Sequence, residues 1–366
     1  MPLVSAEEHQ EPGNATNPGD AKNLPSFISK APTDAPVARI RDVVVIPTTL
    51  VEGGYSREEE QPAGRPPAEL AEEMTLEVLP SEESELLMNA CSQRGHYFLG
   101  VRQFGARYTF VREVDPAVYE GDRAFGWDDD NKLFYAIVLS RLIRDNGHSL
   151  EFAARIVDHE DGMQQVIPVH APGYVTGYRL RRDRDWLTQS EAGELRQLFA
   201  DHWPLRDGLP WKVIHALNLT EDAVHLRIFQ RSLLLITTAL DGLIHSERRQ
   251  VSKQFRERLP LLAAEVGVDG VDEQFASELY DARSEAAHGA QVSMFRVRPE
   301  PEHQADGKEQ PEGEPEPPEA TEDIAAPLAL AQDLVRAATR KAIQDPAFRE
   351  IFESDAKVAA RWPVQT

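Results

Sequence analysis

The sequence predicts an α+β N-terminal domain followed by an all-α four-helix bundle. Up to about residue 205, β-branched and alternating segments are interleaved with helical ones, which is the pattern of an α+β domain. After Pro210 the apolar residues recur at helical spacing only. We therefore expect a disordered tail at 1–36, an α+β domain of unknown role at 37–205, and a helical domain at 210–360 that contains a disordered acidic insert at 299–322.

The strand predictions in the N-terminal domain follow from β-branched runs and turn residues. The run Val43–Ile46 places a strand at 38–46, and Glu160-Asp161-Gly162 marks the turn between hairpin strands at 152–157 and 164–169. We also predict a strand at 74–79, a hairpin at 97–114 and a loop at 53–67. The predicted helices are 82–91, 131–144 and 188–203, the last capped by Thr188 or Ser190.

Four main helices are predicted in the C-terminal domain. The first runs from 221 to 245 with Thr220 as its N-cap, and the second from 249 to 266 with an interruption or bend near Pro260. The third covers 272–288, and the fourth covers 323–343 and is followed by a short helix at 348–352. Each main helix carries an apolar stripe, and four such helices are expected to form a bundle.

The composition limits the cellular compartment and the kinds of metal site that are expected. The chain has 366 residues and a single cysteine, Cys91, which excludes an internal disulfide and a Cys-based zinc site. No apolar run is long enough to cross a membrane, and the N-terminus lacks the apolar core of a signal peptide. We therefore expect a cytoplasmic protein that does not contact membranes. No dense cluster of carboxylates or histidines in the sequence demands a metal, so we expect no cofactor.

The net charge of −23 is concentrated in two polar segments. Residues 1–90 contain 17 acidic and 6 basic residues, and residues 300–323 contain 10 acidic and 1 basic. The rest of the chain is close to neutral, so the charge argues against a broad non-specific DNA binder but not against an RNA-binding cleft.

The third predicted helix ends in the stretch Leu279–Gly289, around which the rest of the chain is organised. Gly289 is the residue type expected just past a helix end, because glycine adopts the left-handed backbone at little cost. On a helical wheel the buried stripe of this helix consists of Phe275, Leu279, Ala282 and Ala286.

The opposite face of this helix is polar. Tyr280, Ser284 and His288 follow one another at intervals of four residues, and Arg283 lies to one side, about 140° from His288. Arg283 and His288 therefore converge on one ligand only if the last turn loosens or a second copy contributes its own pair. From position alone, the pair also fits a plain helix end, where His and Gly act as stop signals and Arg interacts with the helix dipole.

The C-terminal half, about 210–360, resembles the HEPN superfamily and, within it, the ApeA-like HEPN domains. The matching blocks occur in order along the four helices: Thr237–Leu243, Ser252–Leu262, Leu279–Gly289, and Leu334, Arg336 and Ala337. The segment 186–198 also resembles the one that precedes such domains. The Arg-x4-His spacing alone is a weak signal, because Arg196 and His202 satisfy the looser Arg-x5-His spacing.

The resemblance implies metal-independent RNA cleavage at a composite site between two HEPN domains, and therefore a homodimer formed through the helical domain. His288 would transfer protons at the ribose 2′-hydroxyl or the leaving 5′-oxygen, and Arg283 would bind the phosphate. Ser284 and Tyr280 would hydrogen-bond the phosphate or orient the imidazole, and Asp241 on the first helix would brace Arg283. The products would end in a cyclic phosphate.

Such a ribonuclease would act as an antiviral defence protein or a toxin-like effector, with the α+β half sensing a trigger or choosing the target. A regulatory protein partner is a further expectation. Two alternatives stay open. One is a non-catalytic HEPN module that binds a partner protein, RNA or nucleotide. The other is a scaffold in which the first half carries the function and the bundle only dimerises.

Two further sets of side chains have both a structural and a functional interpretation. A basic helix could track an RNA backbone, although a solvated face is the simpler interpretation; its members are Arg248, Arg249, Lys253, Arg256 and Arg258. Trp186, Trp203 and Trp211 are expected to pack between the domains in preference to stacking on bases.

Overall fold

The computed structural model describes residues 36–46, 49–52, 55–58, 67–78, 108–118, 132–146, 153–168, 187–224, 229–247, 249–289 and 321–364, with residues 80, 82, 83, 86, 87 and 226 between them. The predictions for 1–35, for the first strand of the hairpin at 97–114 and for most of the acidic insert lie outside the described residues. Residues 82, 83, 86 and 87 are helical, and the remainder of the helix predicted at 82–91 also lies outside them.

A six-stranded antiparallel sheet forms the centre of the N-terminal part. Its strands are β1 (Val37–Ile46), β4 (Ala68–Ala71), β5 (Met74–Val78), β6 (Tyr108–Val114), β7 (Ala153–His159) and β8 (Gln164–Pro168), in the order β4-β5-β6-β1-β7-β8. In the central strand β1, Val44 pairs with Phe110 on one side and Ala153 on the other. The strands predicted at 38–46, 74–79, 152–157 and 164–169 are confirmed within a few residues.

The loop predicted at 53–67 is wrong in its first part. Strand β2 (Thr49–Glu52) pairs with β3 (Tyr55–Glu58), and Glu52 lies opposite Tyr55. Only Gly53 and Gly54 separate these two residues in the sequence. A Gly-Gly pair between two short strands is a hairpin signal that the sequence interpretation treated as a loop.

Two helices cover one face of the sheet. They are α1 (Lys132–Ile143) and α2 (Gln189–His202), which were predicted at 131–144 and 188–203. Thr188 caps α2, since its hydroxyl accepts from the Glu191 amide at 3.2 Å and the Glu191 carboxylate accepts from the Thr188 amide at 2.7 Å. Val44 and Phe110 of the sheet are fully buried against these helices.

The C-terminal part is helical. Its helices are α3 (Trp211–Val224), α4 (Phe229–Ile244), α5 (Val251–Val266), α6 (Glu273–Ala287), α7 (Thr321–Gln344), α8 (Pro346–Ile351) and α9 (Asp355–Arg361). Helix α5 continues through Pro260. The structure therefore supports an α+β N-terminal part followed by a mostly helical C-terminal part.

The single helix predicted at 221–245 is wrong, because the chain forms two antiparallel helices, α3 and α4. At one end the Lys212 ammonium donates to the carbonyl of Gly242, and at the other the Ser232 hydroxyl donates to the carbonyl of Ala223 at 2.9 Å. Thr220 is not an N-cap. It is buried inside α3 and its hydroxyl donates to the Ala216 carbonyl at 2.8 Å, the back-bond that a threonine makes within a helix.

Helix α7 lies at the centre of the molecule. It packs against α3, α4 and α5 of the helical part and against α1 and α2 of the N-terminal part. Leu334 and Val335 of α7 are fully buried in the helical core. Ile343 near its end joins the core of the sheet and α1, together with Leu209 and Leu217. Apolar contacts therefore cross the boundary that the sequence placed between 205 and 210.

Candidate active site

Helix α6 positions the side chains that the sequence analysis singled out. Asp272 caps its start by accepting from the Phe275 amide at 2.7 Å. Leu279 and Ala282 are fully buried, and Phe275 and Ala286 pack partly buried against the same core. The predicted apolar stripe is confirmed, with Leu279 and Ala282 as its fully buried members.

The end of α6 leaves His288 exposed. His288 is the C-cap residue, and its amide donates to the Ser284 carbonyl at 3.1 Å. Gly289 has a φ of 71°, the left-handed conformation expected there. The side chains of Ser284 and His288 are both exposed, and within the described residues no hydrogen bond or ion pair holds the imidazole. The imidazole can therefore meet a ligand from solvent.

Arg283 is directed toward α4. Its Nη1 donates to the Asp241 carboxylate at 3.0 Å, and the two side chains are 26% and 17% exposed. The ion pair is the contact that the sequence suggested for Asp241. Because both groups are only partly accessible, the carboxylate fixes the guanidinium without removing it from solvent.

Tyr280 differs from its predicted placement. It was predicted on the polar face with Ser284 and His288, opposite the apolar stripe, but its ring packs against the helical core, 5.6 Å from the ring of Phe255 on α5. The guanidinium of Arg283 lies 5.9 Å from the centre of the Tyr280 ring. Tyr280 therefore supports Arg283 through a cation–π contact. The structure thus groups Arg283, Asp241 and Tyr280, and leaves Ser284 and His288 at the open end of the helix.

The surroundings of Asp241 include residues that the sequence analysis left out of the site. Lys212 at the start of α3 donates to the carbonyls of Gly242 at 3.0 Å and His245 at 2.7 Å, and so occupies acceptors at the end of α4. The imidazole of His215 stacks on Trp211, with ring centres 5.7 Å apart. Pro210 before a helix start was the available signal, but the start was placed at Thr220.

The competing Arg196 and His202 pair does not form a site. Arg196 is exposed and pairs with Glu69 at 3.4 Å, whereas His202 is 1% exposed and its ring lies 5.3 Å from that of Tyr135. Burial lowers the pKa of His202 to about 4, so the imidazole is neutral near neutral pH. A neutral buried imidazole and a solvated arginine share no ligand.

Arg258 also departs from the basic surface suggested for its helix. Its side chain is buried and donates to the carbonyls of Trp362 at 2.7 Å and Ile244 at 2.8 Å. Arg258 therefore joins α9 to the end of α4 and cannot bind RNA. Lys253 and Arg256 on the same helix remain accessible.

A cleft of about 470 Å³ lies where α1, α7 and the α5–α6 connection meet. Its charged lining residues are Arg144, Asp145, Asp269, Asp333, Arg336 and Arg340. Two of the arginines, both on α7, pair with carboxylates of the N-terminal part, Arg336 with Asp145 at 3.5 Å and Arg340 with Glu194 at 3.6 Å. These ion pairs join the two parts of the molecule, and the sequence did not indicate them.

The chain matches no family model, and no curated protein or solved structure shows a significant match to it. Among the residues that the structure describes, no three His, Cys, Asp or Glu side chains are grouped as metal ligands. In that same part of the chain, every helix is too short or too polar to span a bilayer.

Proposed function

We propose that this protein is a metal-independent endoribonuclease of the HEPN type. The observation that carries the proposal is the end of α6, where Arg283 is held by Asp241 at 3.0 Å and an exposed His288 follows five residues later at the helix terminus. A fixed cation and an accessible imidazole at the end of one helix provide the two functions that cleavage by a ribose 2′-hydroxyl needs.

Arg283 would bind the scissile phosphate. The ion pair uses one Nη of the guanidinium, and the remaining N–H groups can donate to phosphate oxygens. Because Asp241 and the Tyr280 ring hold the guanidinium in place before RNA arrives, little ordering is needed when negative charge develops.

His288 would transfer the protons. The 2′-oxygen attacks phosphorus and its proton passes to a neutral imidazole; the bond from phosphorus to the 5′-oxygen then breaks, and that oxygen receives a proton from a protonated imidazole. The products are a 2′,3′-cyclic phosphate and a free 5′-hydroxyl. An acid and a base are both needed, but each chain supplies one His288 at this position.

We therefore propose a homodimer in which two α6 ends face each other, each supplying one His288 and one Arg283. The spacing along the helix supports this arrangement, since Arg283 and His288 of one helix point about 140° apart and cannot easily meet on one phosphate. A cytoplasmic ribonuclease of this kind would act as a defence or toxin-like effector. Its activity would be controlled through the N-terminal part, which contacts α7, by a trigger or a regulatory protein partner.

The experiment is cleavage of a mixed RNA pool in EDTA by the wild type and by His288→Ala, with the product ends analysed. We expect cyclic-phosphate ends from the wild type only. Because His288 is exposed in the single chain, its replacement should leave the fold intact, as circular dichroism would show, and sedimentation measures whether the dimer is kept. Equal cleavage by His288→Ala would contradict the proposal.

Arg256 provides a matched control for Arg283. Both are helical arginines paired with one aspartate, Arg256 with Asp281 at 3.3 Å and Arg283 with Asp241 at 3.0 Å. Arg283→Ala should abolish cleavage, and Arg256→Ala should leave most of it. Equal losses from both variants would indicate a general loss of charge or stability instead of a role for Arg283.

The second candidate is a non-catalytic HEPN module that binds a partner protein, RNA or nucleotide. The ion pair with Asp241 favours it, because a neutralised arginine serves binding or structure as well as catalysis. This candidate predicts ligand binding without strand scission. Binding would be lost in Arg283→Ala and would not depend on the protonation of His288.

A further inference from the structure

Trp211 is an exposed tryptophan at the first position of α3. Its side chain is 70% exposed, whereas Trp203 packs against Phe199 with ring centres 5.5 Å apart. The expected packing of Trp211 between the domains is therefore wrong. Burying a tryptophan side chain is strongly favourable, so a ligand that covers the exposed Trp211 ring would gain binding energy from it.

Neighbouring residues hold the Trp211 ring from one side. The His215 imidazole is stacked beneath it, at 5.7 Å and with an angle of 17° between the ring planes. His215 in turn lies against α4, since its Cδ2 is 3.5 Å from the position a Cβ would take at Gly242. Lys212 fixes the helix start by bonding the Gly242 carbonyl and pairing with Asp355 at 3.0 Å. His215 therefore supports the indole ring, while most of the Trp211 side chain stays open to solvent.

This stacked pair and Arg283 of the candidate active site both lie against the last turn of α4. Gly242, which His215 touches, directly follows Asp241, and Asp241 holds Arg283 at 3.0 Å. The last turn of α4 thus contacts His215 through Gly242 and Arg283 through Asp241. A strand of RNA bound at Arg283 could therefore extend over the end of α4 to Trp211.

We infer that Trp211, supported by His215, is a stacking platform for an unpaired base of single-stranded RNA. The inference rests on the proposed function, because it takes the RNA at Arg283 as the ligand. Aromatic rings hold unpaired bases by stacking and do so with little sequence preference. Lys212, the residue next to Trp211 in the chain, is already paired with Asp355, so stacking instead of phosphate attraction by this lysine would supply the affinity.

The test measures binding of a fluorescein-labelled single-stranded RNA of about 12 nucleotides to the full-length His288→Ala protein, in which cleavage does not interfere. A second substitution, Trp211→Ala, should lower the affinity for this RNA about tenfold. With Trp211→Phe in its place, most of the affinity should be kept. Leu261→Ala is the matched control, since Leu261 is also a large exposed apolar residue, at 44%. It should bind RNA as the His288→Ala background does.

Three results would overturn the inference. One is unchanged binding by Trp211→Ala, and another is an equal loss for a duplex of the same sequence, because paired bases cannot stack on the ring. The third is a Trp211→Ala protein that loses its dimer but keeps its RNA affinity, which would make this surface an interface between copies. Binding that depends on Trp211 in a protein whose wild type never cleaves RNA would support the platform and contradict only the ribonuclease proposal.

Discussion

His202 at the end of α2 makes the folded state sensitive to acid. Its side chain is 1% exposed, and its Nδ1 has no hydrogen-bond partner among the described residues. Burial, with the Arg206 cation as a second cause, lowers its pKa from 6.5 to about 4. The folded protein therefore keeps this imidazole neutral under conditions in which the unfolded chain protonates it.

The sign and size of the effect follow from this difference. Since folding lowers the pKa, the stability contributed by the neutral imidazole is complete above pH 6.5 and is lost as the pH falls toward about 4. At about 1.4 kcal/mol for each unit of pKa difference, the complete loss is about 3 kcal/mol, and about 2 kcal/mol is lost by about pH 5.

Urea unfolding at about pH 7 and about pH 5 measures this loss. We compare the wild type with His202→Phe, which keeps an aromatic ring against Tyr135 and cannot be protonated. Acids elsewhere affect both proteins alike, so the wild type should lose about 2 kcal/mol more than the variant. Phe199→Leu, which changes the same cluster without changing a titratable group, should keep the wild-type dependence on pH. Equal pH dependence in the wild type and His202→Phe would refute the reasoning.

The remaining predictions concern three charged contacts. Arg258→Ala should lower the free energy of unfolding by about 3 kcal/mol, because two buried carbonyls lose a charged donor. Urea titration measures this loss, and an unchanged free energy of unfolding would contradict the prediction. Glu221→Ala leaves the buried Arg141 guanidinium without this partner and should cost about 3 kcal/mol in the same assay. Asp241→Asn should slow RNA cleavage about tenfold or more by loosening Arg283, with an unchanged single-turnover rate as the contrary result.

Local chemistry explains which elements the sequence could predict. The β-branched run at Val43–Ile46 forms the central strand, and Gly162 takes the positive φ of 78° that its hairpin turn requires. Thr188 and Glu191 form a reciprocal cap that depends on only four consecutive residues. In each case the deciding interaction lies within a few residues of the pattern that indicates it.

Tertiary contacts decided the elements that were mispredicted. Thr220 has the chemistry of a cap, but the helix around it starts at Trp211 and buries Thr220 against its neighbours. A pattern of apolar residues alone cannot show where one helix ends and its antiparallel partner begins, because both continue the same spacing. Ser232, which bonds the Ala223 carbonyl across the turn, is recognisable only once the two helices are side by side.

In the candidate site, too, local features could be predicted from the sequence and tertiary contacts could not. The helix end at His288 and Gly289 follows from the sequence of α6, and so does the exposure of His288. The placement of Tyr280 does not, because a helical wheel gives a direction but not the partner, and Phe255 of α5 occupies that direction. The exposure of Trp211 likewise depends on how α3 lies on α4, which no local pattern encodes.

The contacts of α7 supply a physical route between the N-terminal part and the candidate site. Ile343 near the end of α7 is buried with the sheet and α1, while Leu334 is buried in the helical core that contains Leu240 of α4. Asp241, the next residue of α4, fixes Arg283. Packed cores shift between discrete arrangements. A ligand that moved the sheet and α1 relative to α7 would therefore also change how α4 packs on α7, and with it the position of Arg283. Under the proposed function, a trigger recognised by the N-terminal part would therefore control RNA cleavage without contacting the RNA.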